Sequence, residues 1–333
     1  MRYLFISFLV FTVSIVAQAQ DVVLHEQKTF PNQVPASGYS GITWLGGDEY
    51  AVVADNTSKD GFFRFRISLK ENGDIANIQR LQFFGNNRKG RDSEGVAFFP
   101  ADSTLFVSGE NDNEVMELSM NGTPTGRNLP VPRIYAKAAN NYGLEALTYN
   151  AVTHRFWTTS ESTLTPDGPQ ASPRNRKHNL LRLQSFDDQL KALDQYLYKM
   201  DMPSTLRHPD KYVFGVSALA ALDDGRILVL EREAFIPDVK IGAFVRCVVY
   251  SVVPGEGTPI GKKKLQKSVA LKKTKVAEWT TALGLLSCTF ANYEGMCVGP
   301  RLQDGGQVIV LLSDSQNQYA GILQDWFRTM VIY

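Results

Sequence analysis

Short apolar runs alternate with polar turns along this chain, in an order that repeats five times. Each unit opens with a serine or a glutamate followed by an apolar strand: Ser40-Gly41-Ile42-Thr43-Trp44, Glu94-Gly95-Val96-Ala97-Phe98, Glu145-Ala146-Leu147-Thr148-Tyr149, Ser217-Ala218-Leu219-Ala220-Ala221 and Glu294-Gly295-Met296-Cys297-Val298. A turn and a second apolar run come next, ending in acids at Asp55, Glu110, Glu161, Glu231 and Asp314. A period of roughly fifty residues marks stacked copies of one supersecondary unit.

The second unit shows the pattern best. Glu94–Phe99 and Thr104–Ser108 flank a Pro-Ala-Asp-Ser turn, Glu114–Met120 alternates, and Asn121-Gly122 closes the next hairpin. A more polar fourth strand is predicted over Arg127–Ile134, and in unit four over Leu265–Val276. Unit five offers three strands, the last over Ile322–Tyr333, and the alternating stretch Asp21–Thr29 supplies its missing outer strand. Four antiparallel strands per repeat with little helical periodicity predict an all-β protein, a β-propeller whose ring is closed by the N-terminal strand. Five blades is the direct count. Six is the alternative, because units three and four are longer; their surplus reads as loops at Thr163–His178 and Phe235–Ala243.

Met1-Arg2-Tyr3, an apolar run over Leu4–Val16 and Ala17-Gln18-Ala19 read as a signal peptide, residues 1–19. The run is too short to span a bilayer. Residues 20–333 then form a single exported propeller domain, periplasmic or extracellular, expected to be monomeric. Acids and bases balance, 34 against 35, so no global field favours a nucleic acid. Three cysteines make no disulfide framework. Cys297, inside an apolar strand, reads as a small buried hydrophobe, with a Cys288–Cys297 bridge as the alternative.

In a propeller the first strand of each blade lines the central channel and the second runs back beside it. The residue that opens strand one and the residue that closes strand two therefore reach the same mouth. Glu94 is expected beside Glu110, Glu145 beside Glu161 and Glu294 beside Asp314, with Asp55 and Glu231 joining them. So many carboxylates in one recess need compensation. Two solutions are open: a divalent cation, Ca²⁺ by its preference for oxygen ligands, or hydrogen bonds that make the acids structural clips between blades. Arg91, after Arg88 and Lys89, and Arg232 also approach this mouth. They are either ion pairs that hold loops or a clamp for an anionic substrate. Cation and arginine together would make a hydrolase site, with Glu94 and Glu294 as bases and Arg91 and Arg232 gripping a small anionic or ester substrate.

Other chemistry is not signalled. There is no Gly-x-Ser-x-Gly elbow, nucleotide motif or clustered histidine; the four histidines miss every repeated mouth position. Seven lysines within Lys262–Lys275 read as the protected outer strand of blade four.

The segments Arg91-Asp92-Ser93-Glu94-Gly95-Val96-Ala97, Tyr142-Gly143-Leu144-Glu145-Ala146-Leu147, Ile227-Leu228-Val229-Leu230-Glu231-Arg232-Glu233, Asn292-Tyr293-Glu294-Gly295-Met296-Cys297-Val298-Gly299-Pro300-Arg301 and Leu311-Leu312-Ser313-Asp314-Ser315 resemble the phytase-like family of secreted propellers, described as "esterase-like activity of phytase". The resemblance implies hydrolysis of a phosphoester or ester. Through the more remote β-propeller phytases, it implies calcium ions that hold substrate phosphate. Ser40 and Ser217 stand where glutamate opens the other three units, so a ligand ring here would be lopsided. The competing reading is a non-catalytic propeller that binds a ligand or partner at the same mouth.

Overall fold

The structure, a computed structural model, describes residues 21–333 except 140, 210, 262–263, 286–287 and 319–322. The signal-peptide reading of residues 1–19 lies outside the described residues. Among those described, no helix is long and apolar enough to cross a membrane.

After strand β1 (Val22–Leu24), the chain builds four sheets in succession. They are β2–β5 (Tyr39–Gly46, Glu49–Ala54, Lys59–Leu69, Ile75–Lys89), β6–β9 (Ser93–Phe99, Thr104–Gly109, Glu114–Ser119, Pro124–Leu129), β10–β13 (Leu144–Asn150, Arg155–Ser160, Leu180–Asp187, Ala192–Lys199) and β14–β17 (Lys211–Ala221, Ile227–Ile236, Phe244–Val252, Lys273–Ala282). The fifth comprises β18 (Asn292–Arg301), β19 (Gln307–Asp314), β20 (Phe327–Ile332) and β1, which pairs antiparallel with β20 through Val22↔Ile332 and Leu24↔Met330. The inner strands touch in the cyclic order β2, β6, β10, β14, β18 and back to β2. This is a five-bladed propeller closed by its N-terminal strand; the six-blade alternative falls.

Close approach of neighbouring blades depends on small residues and hydroxyls near the opening position. A Cβ on Gly41 would sit 2.2 Å from the Glu94 carbonyl oxygen of the next blade, so only glycine fits here without a backbone shift. Serine hydroxyls add clips, Ser40 Oγ donating to the Ser93 carbonyl and Ser217 Oγ to that of Tyr293 at 3.1 Å. Two residues past each opening position, Ile42, Val96, Leu147, Leu219 and Met296 point into the channel, each at most 4 % exposed. They leave a void of only ≈ 10 Å³, barely one water. The channel is therefore cut at an apolar waist, and each mouth is a blind chamber.

Three expected elements differ. Blade two's last strand ends at Leu129 because Pro130 and Pro132 cannot continue a ladder; a 3₁₀ turn covers Arg133–Lys137. Blade four's outer strand begins only at Lys273. The described lysine-rich residues before it strap blade three instead, with Leu265 buried against Leu197 and Ile260. Lys262 and Lys263 lie outside the described residues. Cys247 and Cys297 are free buried thiols, so no Cys288–Cys297 bridge forms.

Candidate functional site

Strand register shows which side chains share the mouth. Just before each opening residue, the inner strand pairs with the next: Tyr39↔Ala54, Ser93↔Gly109, Leu144↔Ser160, Val216↔Glu231 and Tyr293↔Ser313. The residue after each partner is Asp55, Glu110, Glu161, Arg232 and Asp314. The five equivalent positions thus carry four acids and one arginine, with Ser40, Glu94, Glu145, Ser217 and Glu294 as the ring beside them. A third ring lies two residues upstream, at Gly38, Asp92, Gly143, Gly215 and Asn292.

These rings form one chamber of ≈ 430 Å³, lined by Asp55, Asp92, Glu94, Glu110, Glu145, Glu161, Glu294, Asp314 and Arg232. Arg232 is its internal counter-ion. It is buried, donates through Nη2 to Glu161 Oε1 at 2.5 Å and through Nη1 to Asn292 Oδ1 at 3.0 Å, and pairs with Glu294. Burial works against its charge, but Glu294, Glu161 and Glu145 outweigh that and hold it protonated.

Among the described residues, the other half of the chamber has no such cation. Ligand oxygens of Asp92, Glu94 and Glu110 all lie within 4.8 Å of one another, a geometry that can hold a metal ion. Asp92 reaches in from a left-handed turn, φ 59°, a conformation that aspartate tolerates. Glu110 accepts a hydrogen bond from the Gly143 N–H at 3.0 Å. The Glu94 carboxylate accepts none among the described residues; neither does that of Glu145, only 6 % exposed. One Asp55 oxygen is likewise buried without a partner.

Burial is the first cause of every carboxyl shift here. It lifts Glu94, Glu145 and Asp314 well above the carboxylate range, reinforced by Glu145 on Glu94, Glu161 on Glu145 and Glu294 on Asp314. Asp55 is pushed up to about 7 by burial, Glu294 and Asp92. Glu161 also rises to about 7, burial prevailing over the pull of Arg232. Without a cation, the chamber holds protons instead.

Two expected site residues lie elsewhere. Glu231 does not line the chamber. Side chains alternate along a strand, so with Arg232 facing in, Glu231 faces away. There it accepts from Tyr198 Oη and Lys273 Nζ, both at 2.6 Å, and from the Asp201 N–H at 3.1 Å. Arg91 grips no ligand either. Its guanidinium is committed to Asp112 at 2.6 and 2.8 Å and to the Glu114 carbonyl at 3.1 Å, which pins the β7–β8 turn.

Asp92 and Asn292 join the site without a signal in the repeat of opening and closing acids, although each stands two residues before an opening glutamate. The other three upstream positions are glycines pressed against the chamber's carboxylates. A Cβ on Gly38 would lie 1.9 Å from Asp55 Oδ1, and one on Gly215 2.3 Å from Glu161 Cγ.

The fold and site define a five-bladed propeller with an acidic, blind chamber at one mouth. The chain belongs to the phytase-like family, "esterase-like activity of phytase", whose profile matches residues 34–316. No curated protein matches it. Solved structures similar to it include a streptogramin B lyase (10 % identity, covering 94 % of this chain and 98 % of that one, TM-score 0.37). Another is an endo-arabinase from Bacteroides thetaiotaomicron VPI-5482 (12 %, 90 % and 95 %, TM-score 0.46). A third is an exo-beta-1,3-galactanase from Phanerochaete chrysosporium (10 %, 95 % and 64 %, TM-score 0.44). Likeness at this level says nothing about chemistry.

Proposed function

We propose that this protein is an exported hydrolase that cleaves an ester or phosphoester bond in the acidic chamber with the help of a divalent cation, Ca²⁺ by the chemistry of its donors. One observation carries the reading: Glu94 and Glu145 face the chamber without a hydrogen bond or ion pair among the described residues. At the same repeat position Ser40 and Ser217 clip the next blade. Holding blades together therefore needs no carboxylate there, which weighs against purely structural acids.

Asp92, Glu94 and Glu110 would hold the cation. An all-oxygen donor set suits a hard ion that completes its shell with further oxygens. When bound, the ion supplies a Lewis acid that polarises the scissile group. Glu145, with its proton affinity raised by burial and by Glu161, is suited to give a proton to the leaving oxygen and then to take one from the attacking water. Glu294, tied to Arg232, keeps that guanidinium in place; Arg232 balances charge and does not grip substrate. The waist bars the far end, so substrate and product use the same mouth. The substrate is a small molecule, nucleic acid is disfavoured by the acidic mouth, and the chain acts as a monomer.

The test is a screen of phosphomonoesters, phosphodiesters and carboxyl esters with added Ca²⁺ and with chelator. Ca²⁺-dependent turnover is expected, reduced about a hundredfold or more in Glu94→Gln and Glu145→Gln proteins that still fold. Turnover indifferent to both chelator and substitutions contradicts the assignment. No turnover with any class favours the non-catalytic binding propeller.

A further inference from the structure

The acidic chamber is not acidic all round. Val213, Ala234 and Ile236 form its blade-four side, and Phe290 and Leu323 continue that wall. The wall exists because β14 and β15 overrun the mouth, with Val213 pairing with Ala234 and Lys211 with Ile236 beyond Val216↔Glu231. In blade three, by contrast, β10 starts at Leu144, one residue before its opening glutamate.

The neighbouring loops extend the apolar character. Val239, Ile241 and Leu285 are 72, 50 and 81 % exposed, on two loops that leave blade four at the mouth end. The two loops are joined to each other, and Leu283 packs on the same apolar cluster as Val213, Ile236 and Leu323. The Gly242 N–H donates to the Leu283 carbonyl at 2.8 Å.

Charge adds a second constraint. Eight carboxylates line the chamber, and the one basic lining side chain among the described residues, Arg232, is already bound on both sides. A substrate with several phosphates would find no free cationic side chain there, and a single divalent cation offsets only part of the acidity.

We propose that this site takes an amphiphilic ester: one neutral or singly anionic ester group on the acidic side, joined to an aliphatic or aromatic group lying on the Val213–Ile236–Leu323 wall. The proposal rests on the hydrolase reading for turnover but not for binding.

Calorimetry in excess Ca²⁺ compares two monoanions with one headgroup, methyl methylphosphonate and octyl methylphosphonate (below its micelle concentration), with inositol hexakisphosphate as the polyanion. The octyl compound should bind at least about tenfold more tightly than the methyl compound. Ile236→Ser and Leu323→Ser, on separate segments, should each cut that gain at least about threefold in protein that still unfolds cooperatively. Equal affinities for the two chain lengths, a gain that neither substitution diminishes, or tighter binding of inositol hexakisphosphate than of the octyl compound would overturn the proposal. Carboxyl esters of matched chain length, assayed on the same samples, separate the two readings. A binding gain without turnover upholds the wall and removes the hydrolase; turnover indifferent to chain length does the reverse.

Discussion

Arg232 occupies the position that four other blades give to an acid, and it bridges Glu161 of blade three to Glu294 of blade five. Arg232→Met would leave both glutamates buried without their counter-ion. A loss of about 3–5 kcal/mol is expected, read by denaturant unfolding; a change below about 1 kcal/mol would show that the pair breaks even. The sequence hides this role. Glu231-Arg232-Glu233 offers three charges in a row, and a one-residue shift in register decides which of them faces the mouth. Blade four lacks an opening glutamate to anchor the alignment, so sequence alone sets Glu231 level with Asp55 and Glu110. Glu94, Glu110, Glu145, Glu161, Glu294, Asp55 and Asp314 are legible because each follows or precedes an apolar run at a fixed distance.

At the level of elements, turn chemistry and alternation place most strands within a few residues. They fail where another part of the molecule decides. Leu265 and Leu271 alternate with lysines as an edge strand would, yet both are buried against blade three, and the ladder starts only at Lys273. The closing strand β1 is readable from its alternation, and Val22 and Leu24 pack against the largest apolar cluster. A protein lacking residues through Leu24 should lose about 2–4 kcal/mol, from lost apolar burial and three broken strand pairs. Lys28, held to both Asp74 oxygens at 2.6 Å, keeps the remaining segment on blade one, so unfolding stays cooperative. An unchanged melting temperature would mean that β1 does not close the ring.

For the whole molecule, the chamber couples stability to protons and cations. Asp55 and Glu161 hold protons more tightly folded than unfolded, their ordinary values of 3.8 and 4.5 rising to about 7. Such groups favour folding fully below about pH 4, and that contribution is lost as pH rises through about 7. Asp74, lowered to about 2, works oppositely but only below this window. Chelator-treated protein should therefore melt at falling temperature between about pH 5 and pH 8, while Ca²⁺ restores more at the upper end than at the lower. A flat profile, or equal rescue at both ends, would separate the acids from any cation.

Binding of a divalent cation by Asp92, Glu94 and Glu110 underlies the proposed chemistry. It is tested most directly by anomalous diffraction from crystals soaked in Mn²⁺, an oxygen-preferring stand-in for Ca²⁺. A peak is expected between those three carboxylates in the wild-type protein, and its loss in Asp92→Asn/Glu110→Gln. A chamber free of anomalous density at saturating Mn²⁺, or a peak that survives the double substitution, would contradict it.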